Sequence, residues 1–526
     1  MPPAQSPSLL AAHRPIVMSE HGLVVAGHPR AAEAGAAILR AGGNAMDAAI
    51  AAATTLAIAI PFMNGIGGDA IALWSDAEGR VTAINGSGAT AAAATVEAFQ
   101  ALGHSTIPRR GPLAVSVPGV VAAWGQSLER FGTMSLAEIL APAIALAENG
   151  VPLDSTSTRF FNGPDYAALV ADFPALATMF LAHGSARLGA RLRQPQAAAT
   201  LRILAEKGWS AFYEGALADD WIKDARAAGV LLDGGDLSRH ETLFDAPLAI
   251  DWQGHRVHVA PPNSQGISLL AMLGLANQEQ DAAEDGFIDP VAHLERKLTA
   301  FRIRDAYCAD PRRVALPADI LTAESLAALH RSTQDPVNLS GGGDTSTLVV
   351  VDEQGNAVSW VQSLFEAFGS CVTVPKHGLV LHNRAMLERL DDDPVRGLKP
   401  GHRPFHTLCP AMVTGEGGVE LAISTPGDHG QPQSLLQVIR RHFEEGLDIQ
   451  AAIEWPRIRH DDGRTVLVED RCPQSWITRL EAAGWTVEHV GGWSRLMGGV
   501  NAVRRMPDGL LMGGADPRRE CYAVGT

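Results

Sequence analysis

Cysteine is scarce in this 526-residue chain and scattered where it occurs. Cys308, Cys371, Cys409, Cys472 and Cys521 are odd in number, with no CxxC pair and no metal-ligand spacing. That argues against a disulfide framework and for a reduced compartment. Positive charge is short as well: 42 Lys and Arg stand against 58 Asp and Glu, a net charge of -16. A nucleic acid or an anionic membrane is therefore a poor partner. Long apolar runs are missing, since even TLAIAI is closed by Pro61, far short of the roughly 18 residues a membrane span needs. The first residues, MPPAQSPSLLAAHRP, lack the basic stretch and apolar core of a secretory signal. The expectation is a cytoplasmic protein with no membrane partner.

What is present is alanine, glycine and enough apolar residue, 46 %, to bury a sizeable core. Residues 29 to 60 are alanine-rich and helical in pattern, and Gly42, Gly43 and Asn44 form a cap between two helices. AIALWSDAEGRVTAIN alternates as a hairpin does. The stretch from about 120 to 335 is dominated by helical patterns, MSLAEILAPAIALAENG and VAHLERKLTAFRIRDAY among them. From Thr345 onward strands take over: TSTLVVVD, then NAVSWVQSL after an EQG turn, then GLVLHN. No internal repeat or low-complexity linker interrupts the chain.

The junction at Thr345 is the most informative point. Gly341, Gly342, Gly343 and Asp344 form a loop that breaks directly into a β-branched run. If the Asp344/Thr345 bond is cut, Thr345 gains a free α-amine beside its own hydroxyl. A hydroxyl is a weak nucleophile near neutrality, whereas an α-amine of pKa about 7.7 to 8 can take its proton. The same hydroxyl can attack the carbonyl of Asp344 beforehand, and the glycines permit the strained loop this requires. Spacing alone also fits an ordinary glycine-rich turn before a core strand.

The surrounding motifs separate these readings. HGLVVAGHPRAAEAGAAILRAGGNAMDAAIAAA, NGIGGDAIALW, AVSVPGVVAAW, FYEGALADDW, GGDLSRH, APPNSQGISLL, GDTST, VVVDEQGNAVS, RPFHTLCP, ISTPGDHG and GGADPRRECYAVG follow one another in order. Together they resemble the γ-glutamyltranspeptidase family of N-terminal-nucleophile hydrolases over nearly the whole chain. The resemblance implies an α+β fold, an αββα sandwich of two stacked sheets flanked by helices. It also implies self-cleavage into segments 1-344 and 345-526, which stay together as one compact heterodimeric body able to associate further. No cofactor and no metal are implied, and the partner is a small-molecule amide.

Carried over residue by residue, the resemblance makes Thr345 the nucleophile and places Ser363 where a hydroxyl hydrogen-bonds it. Thr347 shares the face of Thr345 if the strand is regular. Gly427 matches the first of two glycines whose backbone N–H groups form the oxyanion hole. Asp428 replaces the second, and its carboxylate opposes an oxyanion unless it points away or is neutralised by His429 or an arginine.

The amino-acid clamp departs from the family. Ser87, in INGSGAT, stands where the carboxylate-binding arginine belongs, and Leu387 stands where the ammonium-binding acid belongs. His406 and Thr407 replace paired serines. Arg384, in LHNR, and His406, in RPFHT, resemble instead the branch containing oxamate amidohydrolase. A guanidinium with no acid for an ammonium suits a carboxylate without an adjacent amine. Alternatively Arg384 pairs with Glu366 or one of Asp391, Asp392 and Asp393, and His406 fills a polar core position. Only 18 residues separate Arg384 from Arg403, fewer than in relatives with a lid loop, which predicts an open pocket. Three functions remain distinct at this level: hydrolysis of a small carboxylate-bearing amide, a true γ-glutamyl hydrolase or transferase of glutathione, and an uncut binding protein.

Overall fold

The computed structural model describes residues 14–277, 288–332 and 343–526. Gly341 and Gly342 of the glycine run, and the side chain of Asp344, lie outside the described residues.

Two seven-stranded sheets form the frame. In one the order is Tyr522–Gly525, Gly22–Ala26, Asp344–Asp352, Ala357–Phe365, Asp69–Ser75, Val81–Gly86 and Leu243–Asp245. In the other it is Val17–Ser19, Leu511–Ala515, Asn501–Arg505, Gly418–Ser424, Ala411–Gly415, His255–Val259 and Leu248–Trp252. All pairings within them are antiparallel.

Strand alternation explains the layers. Along Asp344–Asp352, Val349 and Val351 enter the core between the sheets, with Ile71, Leu73, Met412, Ala422 and Val503. Leu348 and Val350 face the other way, into a core shared with the alanine-rich helices. A strand covered on both faces must be apolar at every position, which is why LVVV is unbroken. The helix Ala45–Ala59 is buried along its whole length; small side chains let it lie close on the sheet. The second sheet is covered in turn by Ile267–Ala276, Pro290–Tyr307 and Gln431–Phe443. The result is the αββα sandwich of an N-terminal-nucleophile hydrolase, as expected.

Most local expectations fall on observed elements. Helices Pro29–Arg40 and Ala45–Ala59 flank the glycine pair, and Asn44 caps the second in a capping box with Asp47. The hairpin is Asp69–Ser75 with Val81–Gly86. GLVLHN is the exception, with only Leu379–Val380 in a two-stranded ribbon. Beyond it the backbone bonds are shared out, Leu381 N–H to Val372 O and His382 N–H to Gly67 O, so no continuous ladder forms.

Candidate active site

Thr345 is the second residue of the strand Asp344–Asp352, an inner strand of the first sheet, and is 3 % exposed. Asp344 is registered opposite Phe365 but Ser346 opposite Gln362, so Ser363 and Leu364 of the partner strand stand against Thr345 alone, a bulge opposite the threonine. Bulges re-aim side chains and concentrate beside active sites. The Thr345 hydroxyl donates to Ser363 Oγ at 3.3 Å, and Ser363 Oγ is held by the N–H of Phe365 at 2.7 Å. Just after this threonine the strand is pinned on both faces. Asn64 Nδ2 donates to Ser346 Oγ at 2.9 Å and Gln362 Nε2 to Asn64 Oδ1 at 2.7 Å. Asn501, from the opposite sheet, donates to Thr347 Oγ1 at 2.8 Å. Thr347 thus faces the second sheet.

Gly427 and Asp428 lie at the end of the strand Gly418–Ser424 and lead, through the turn Asp428–Gly430, into the helix Gln431–Phe443. Gly427 has φ +125° and Asp428 φ +53°; the first value favours glycine, and the second is strained for an aspartate. The turn brings its backbone to the positive end of a 13-residue helix, where developing negative charge is favoured. The Asp428 carboxylate accepts from Gly343 N–H at 3.3 Å through Oδ2. Arg459 lies in its field, and that attraction opposes the lowering of the arginine's pKa by burial. His429 is instead beside Arg304, Nδ1 to Nη1 at 3.0 Å.

Arg384 is fully buried, and a lone charge there would be costly. An acid does stand beside it, which corrects the reading of a guanidinium without one. The partner is none of the acids named from the sequence. Asp69 accepts from Arg384 Nε at 3.0 Å and from Nη2 at 3.2 Å, while Glu366 serves Arg109 and Arg110 and Asp391 and Asp393 serve Arg389. His406 Nε2 lies 3.0 Å from Asp69 Oδ2 and His382 Nδ1 3.6 Å away. Burial alone would raise the Asp69 pKa, but Arg384, then His406, more than offset it and hold the carboxyl far below the usual range. Burial and the neighbouring Arg384 push His406 down to about 4, so at neutral pH the cluster is a carboxylate, a guanidinium and a neutral imidazole.

The third guanidinium nitrogen, Nη1, reaches Thr407 Oγ1 at 3.4 Å. Gln265 then ties Thr407 to the other side of the site, donating to the carbonyls of both Thr407 and Asp428. Ser87 is connected through Asn263, which donates to Ser87 Oγ at 3.1 Å and accepts the His406 N–H at 2.9 Å. Arg384, His406, Thr407, Ser87 and Asp428 therefore belong to one connected network, while Thr345 and Ser363 form a separate hydrogen-bonded pair, with Ser363 in register with Asp69. The short stretch after Arg384 predicts openness, yet Thr345, Arg384 and His406 are buried in the uncut chain. The stretch folds back on itself, Leu398 N–H to Arg389 O and Gly397 N–H to Asp393 O.

Sequence reading missed Asp69, Asn64 and Asn501. Asp69 has a signal in retrospect: an acid opening an otherwise apolar strand, directly opposite Ser363. The remaining cysteines are all free thiols, and burial pushes Cys308 up to about 12. Arg518 is buried in ion pairs with Glu469 and Asp516.

The comparisons agree with this geometry. Residues 31–526 match the model of the family described as Gamma-glutamyltranspeptidase. The chain is 37 % identical to the glutathione hydrolase-like YwrD proenzyme of Bacillus subtilis, covering 97 % of this chain and 99 % of that one. It is 36 % identical to the oxamate amidohydrolase proenzyme of Klebsiella pneumoniae, with the same coverage. Among solved structures, cephalosporin acylase from Bacillus halodurans superposes with a TM-score of 0.92 at 31 % identity, over 100 % of this chain and 99 % of that one. An enzyme of the hydrolase and acyltransferase class, this chain belongs to the gamma-glutamyltranspeptidase family.

Proposed function

We propose that this chain is an autoprocessing threonine amide hydrolase that cuts itself between Asp344 and Thr345 and then cleaves a small, carboxylate-bearing amide of the oxamate kind. Cleavage gives segments 1-344 and 345-526, held together by the shared sheet as a heterodimer. The supporting observation is the Arg384 fork, with two nitrogens on Asp69 and the third beside Thr407.

In the first step Thr345 Oγ1 attacks the Asp344 carbonyl, the peptide C–N bond between Asp344 and Thr345 breaks with its nitrogen leaving as the Thr345 α-amine, and water hydrolyses the resulting ester. The freed α-amine then takes the Oγ1 proton as the oxygen adds to the substrate carbonyl. Backbone N–H groups of Gly427 and Asp428 receive the oxyanion, fixed before the charge develops. The proton passes from the α-ammonium to the leaving amine, and an acyl ester remains on Thr345. Water, activated by the same amine, releases the acid. Ser363 orients the nucleophile; Arg384 Nη1 and Thr407 Oγ1 receive the substrate carboxylate, with His406 and Ser87 bracing them.

A γ-glutamyl substrate is the second reading, and Asp69 favours it, since a carboxylate is what an ammonium needs. Both Asp69 oxygens are however engaged, one by Arg384 Nη2 and the other by Arg384 Nε and His406, and Leu387 offers no second acid. The test is turnover of small carboxylated amides against γ-glutamyl anilides. Hydrolysis of the former, lost in Arg384→Ala, supports the proposal; γ-glutamyl turnover that exceeds it and is abolished by Thr345→Ala overturns the specificity.

A further inference from the structure

Beside the site lies a cleft of about 640 Å³, lined by Arg304, Leu387, Glu388, Arg396, Phe405 and His429 among others. Three of these are chain neighbours of the site residues. Leu387 ends the turn that Arg384 begins, Phe405 precedes His406, and His429 follows Asp428. The cleft is thus walled by the same segments that carry the candidate chemistry. Its volume falls among sites that take ligands of some size, and a two-carbon acid amide would leave nearly all of it to water.

The polar groups of the cleft are mostly accounted for. Asp305 accepts from Arg304 Nε at 2.7 Å, Glu388 holds the Phe405 N–H and faces Arg313 at 3.5 Å, and Asp391 and Asp393 serve Arg389. Arg396 is the exception. Its guanidinium lies over the Phe405 ring at 3.3 Å, which fixes its plane. Its nearest acid is the already engaged Asp305, 3.6 Å from Nη2. Its Nη1 is buried and has no hydrogen-bond partner among the described residues. A buried, oriented guanidinium donor without a partner calls for an acceptor oxygen, and a carboxylate meets the fork best.

We propose that the cleft is a second anion subsite in which Arg396, backed by Arg304, binds a carboxylate at the end of the substrate remote from the scissile amide. This rests on reading the chain as an amide hydrolase, and extends its substrates from oxamate-sized amides to ones carrying a distal carboxylate. The remote carboxylate can belong to the acyl group or to the leaving amine.

A binding arm and a turnover arm test it separately. In the first, thermal unfolding of the processed enzyme is followed with glutarate or butyrate. Glutarate is expected to raise the Tm more than butyrate, and the difference to vanish in Arg396→Gln. In the second, kcat/KM is compared for a dicarboxylic monoanilide against the matching monocarboxylic anilide, and for a β-alanine amide against the propylamine amide. The favoured pair identifies the arm that carries the charge. A preference of at least about tenfold is expected, collapsing towards unity in Arg396→Gln and partly kept in Arg396→Lys.

Equal stabilisation of the wild type by the two acids, or a preference unchanged in Arg396→Gln, overturns the subsite; if that variant does not fold, the wild-type comparisons still decide. Arg396-dependent glutarate binding without hydrolysis of any amide would uphold the subsite and sink the hydrolase reading. Amide hydrolysis without a distal-carboxylate preference would do the reverse.

Discussion

The backbone N–H of Gly343, two residues before the nucleophile, donates to Oδ2 of Asp428 at 3.3 Å. The carboxylate that replaces a family glycine therefore points at the segment to be cut. Under the proposed self-cleavage, this carboxylate helps hold the segment to be cut. Removing it in Asp428→Gly deletes a charge-assisted hydrogen bond worth about 1.5–3 kcal/mol and relieves the strained φ. Fragment formation, followed by mass over time, is expected to slow by roughly ten- to a hundredfold. The fraction already processed is expected to turn over amides about as fast as wild type, because the backbone N–H of residue 428 is kept. Unchanged cleavage would show that Asp428 plays no part in holding the loop.

Asp69 holds Arg384 and His406 together. Asp69→Ala leaves Arg384 buried and uncompensated, a loss of about 3–5 kcal/mol, and a clear fall in Tm is expected. Asp69→Asn keeps the shape and part of the hydrogen bonding, so its Tm loss is expected to be smaller while kcat/KM for carboxylated amides still falls. Equal behaviour of the two variants in unfolding would mean that the charge pair matters little.

Ser363 contributes one long hydrogen bond, at 3.3 Å, to Thr345. Loss of it in Ser363→Ala is expected to slow both self-cleavage and turnover by about tenfold, an effect of roughly 1.4 kcal/mol. Ser363→Thr is expected to restore most of the rate. Loss of turnover alone, with normal cleavage, would assign Ser363 to substrate binding instead.

Acid should destabilise the protein well above the carboxylate range. Burial lowers His240 and His293 to about 3 and His258, His406 and His460 to about 4. Unfolded, these histidines titrate near 6.5, so between there and pH 4 the unfolded chain binds more protons and stability is lost as pH falls. By pH 5 each fully buried histidine costs of order 2 kcal/mol. Glu388, raised by burial to about 7, acts in the opposite sense: its stabilisation is present below 4.5 and lost as pH rises through 7. Burial raises Asp352 and Glu445 as well, but it also lowers His382, His402 and His442; the histidines are the larger set, so Tm is expected to drop between pH 7 and 5. A flat Tm over that range would contradict the buried, neutral histidines.

The candidate nucleophile was legible through the ordered motifs around it, because the run GGGDTSTLVVV, with three hydroxyl residues, equally fits an ordinary turn before a strand. The helix pair around Gly42 and Gly43 and the hairpin from Asp69 were legible because their signals are local. The bulge opposite Thr345 was not, since register depends on the partner strand. Nor was the Asp69–Arg384 pair, whose members lie 315 residues apart; no periodicity reports such a distance. GLVLHN has strand composition, but its backbone bonds are divided between several partners, and composition carries no record of that. Leu387 and Ser87 showed what the pocket lacks, whereas what fills it depended on residues brought in from elsewhere.

The most direct measurement is the intact mass of freshly purified protein under denaturing conditions, beside Thr345→Ala. Two species matching 344 and 182 residues of the 526, absent from the variant, are the result this account requires. A single full-length species from both proteins would contradict it, for the α-amine that makes Thr345 a nucleophile would never be released.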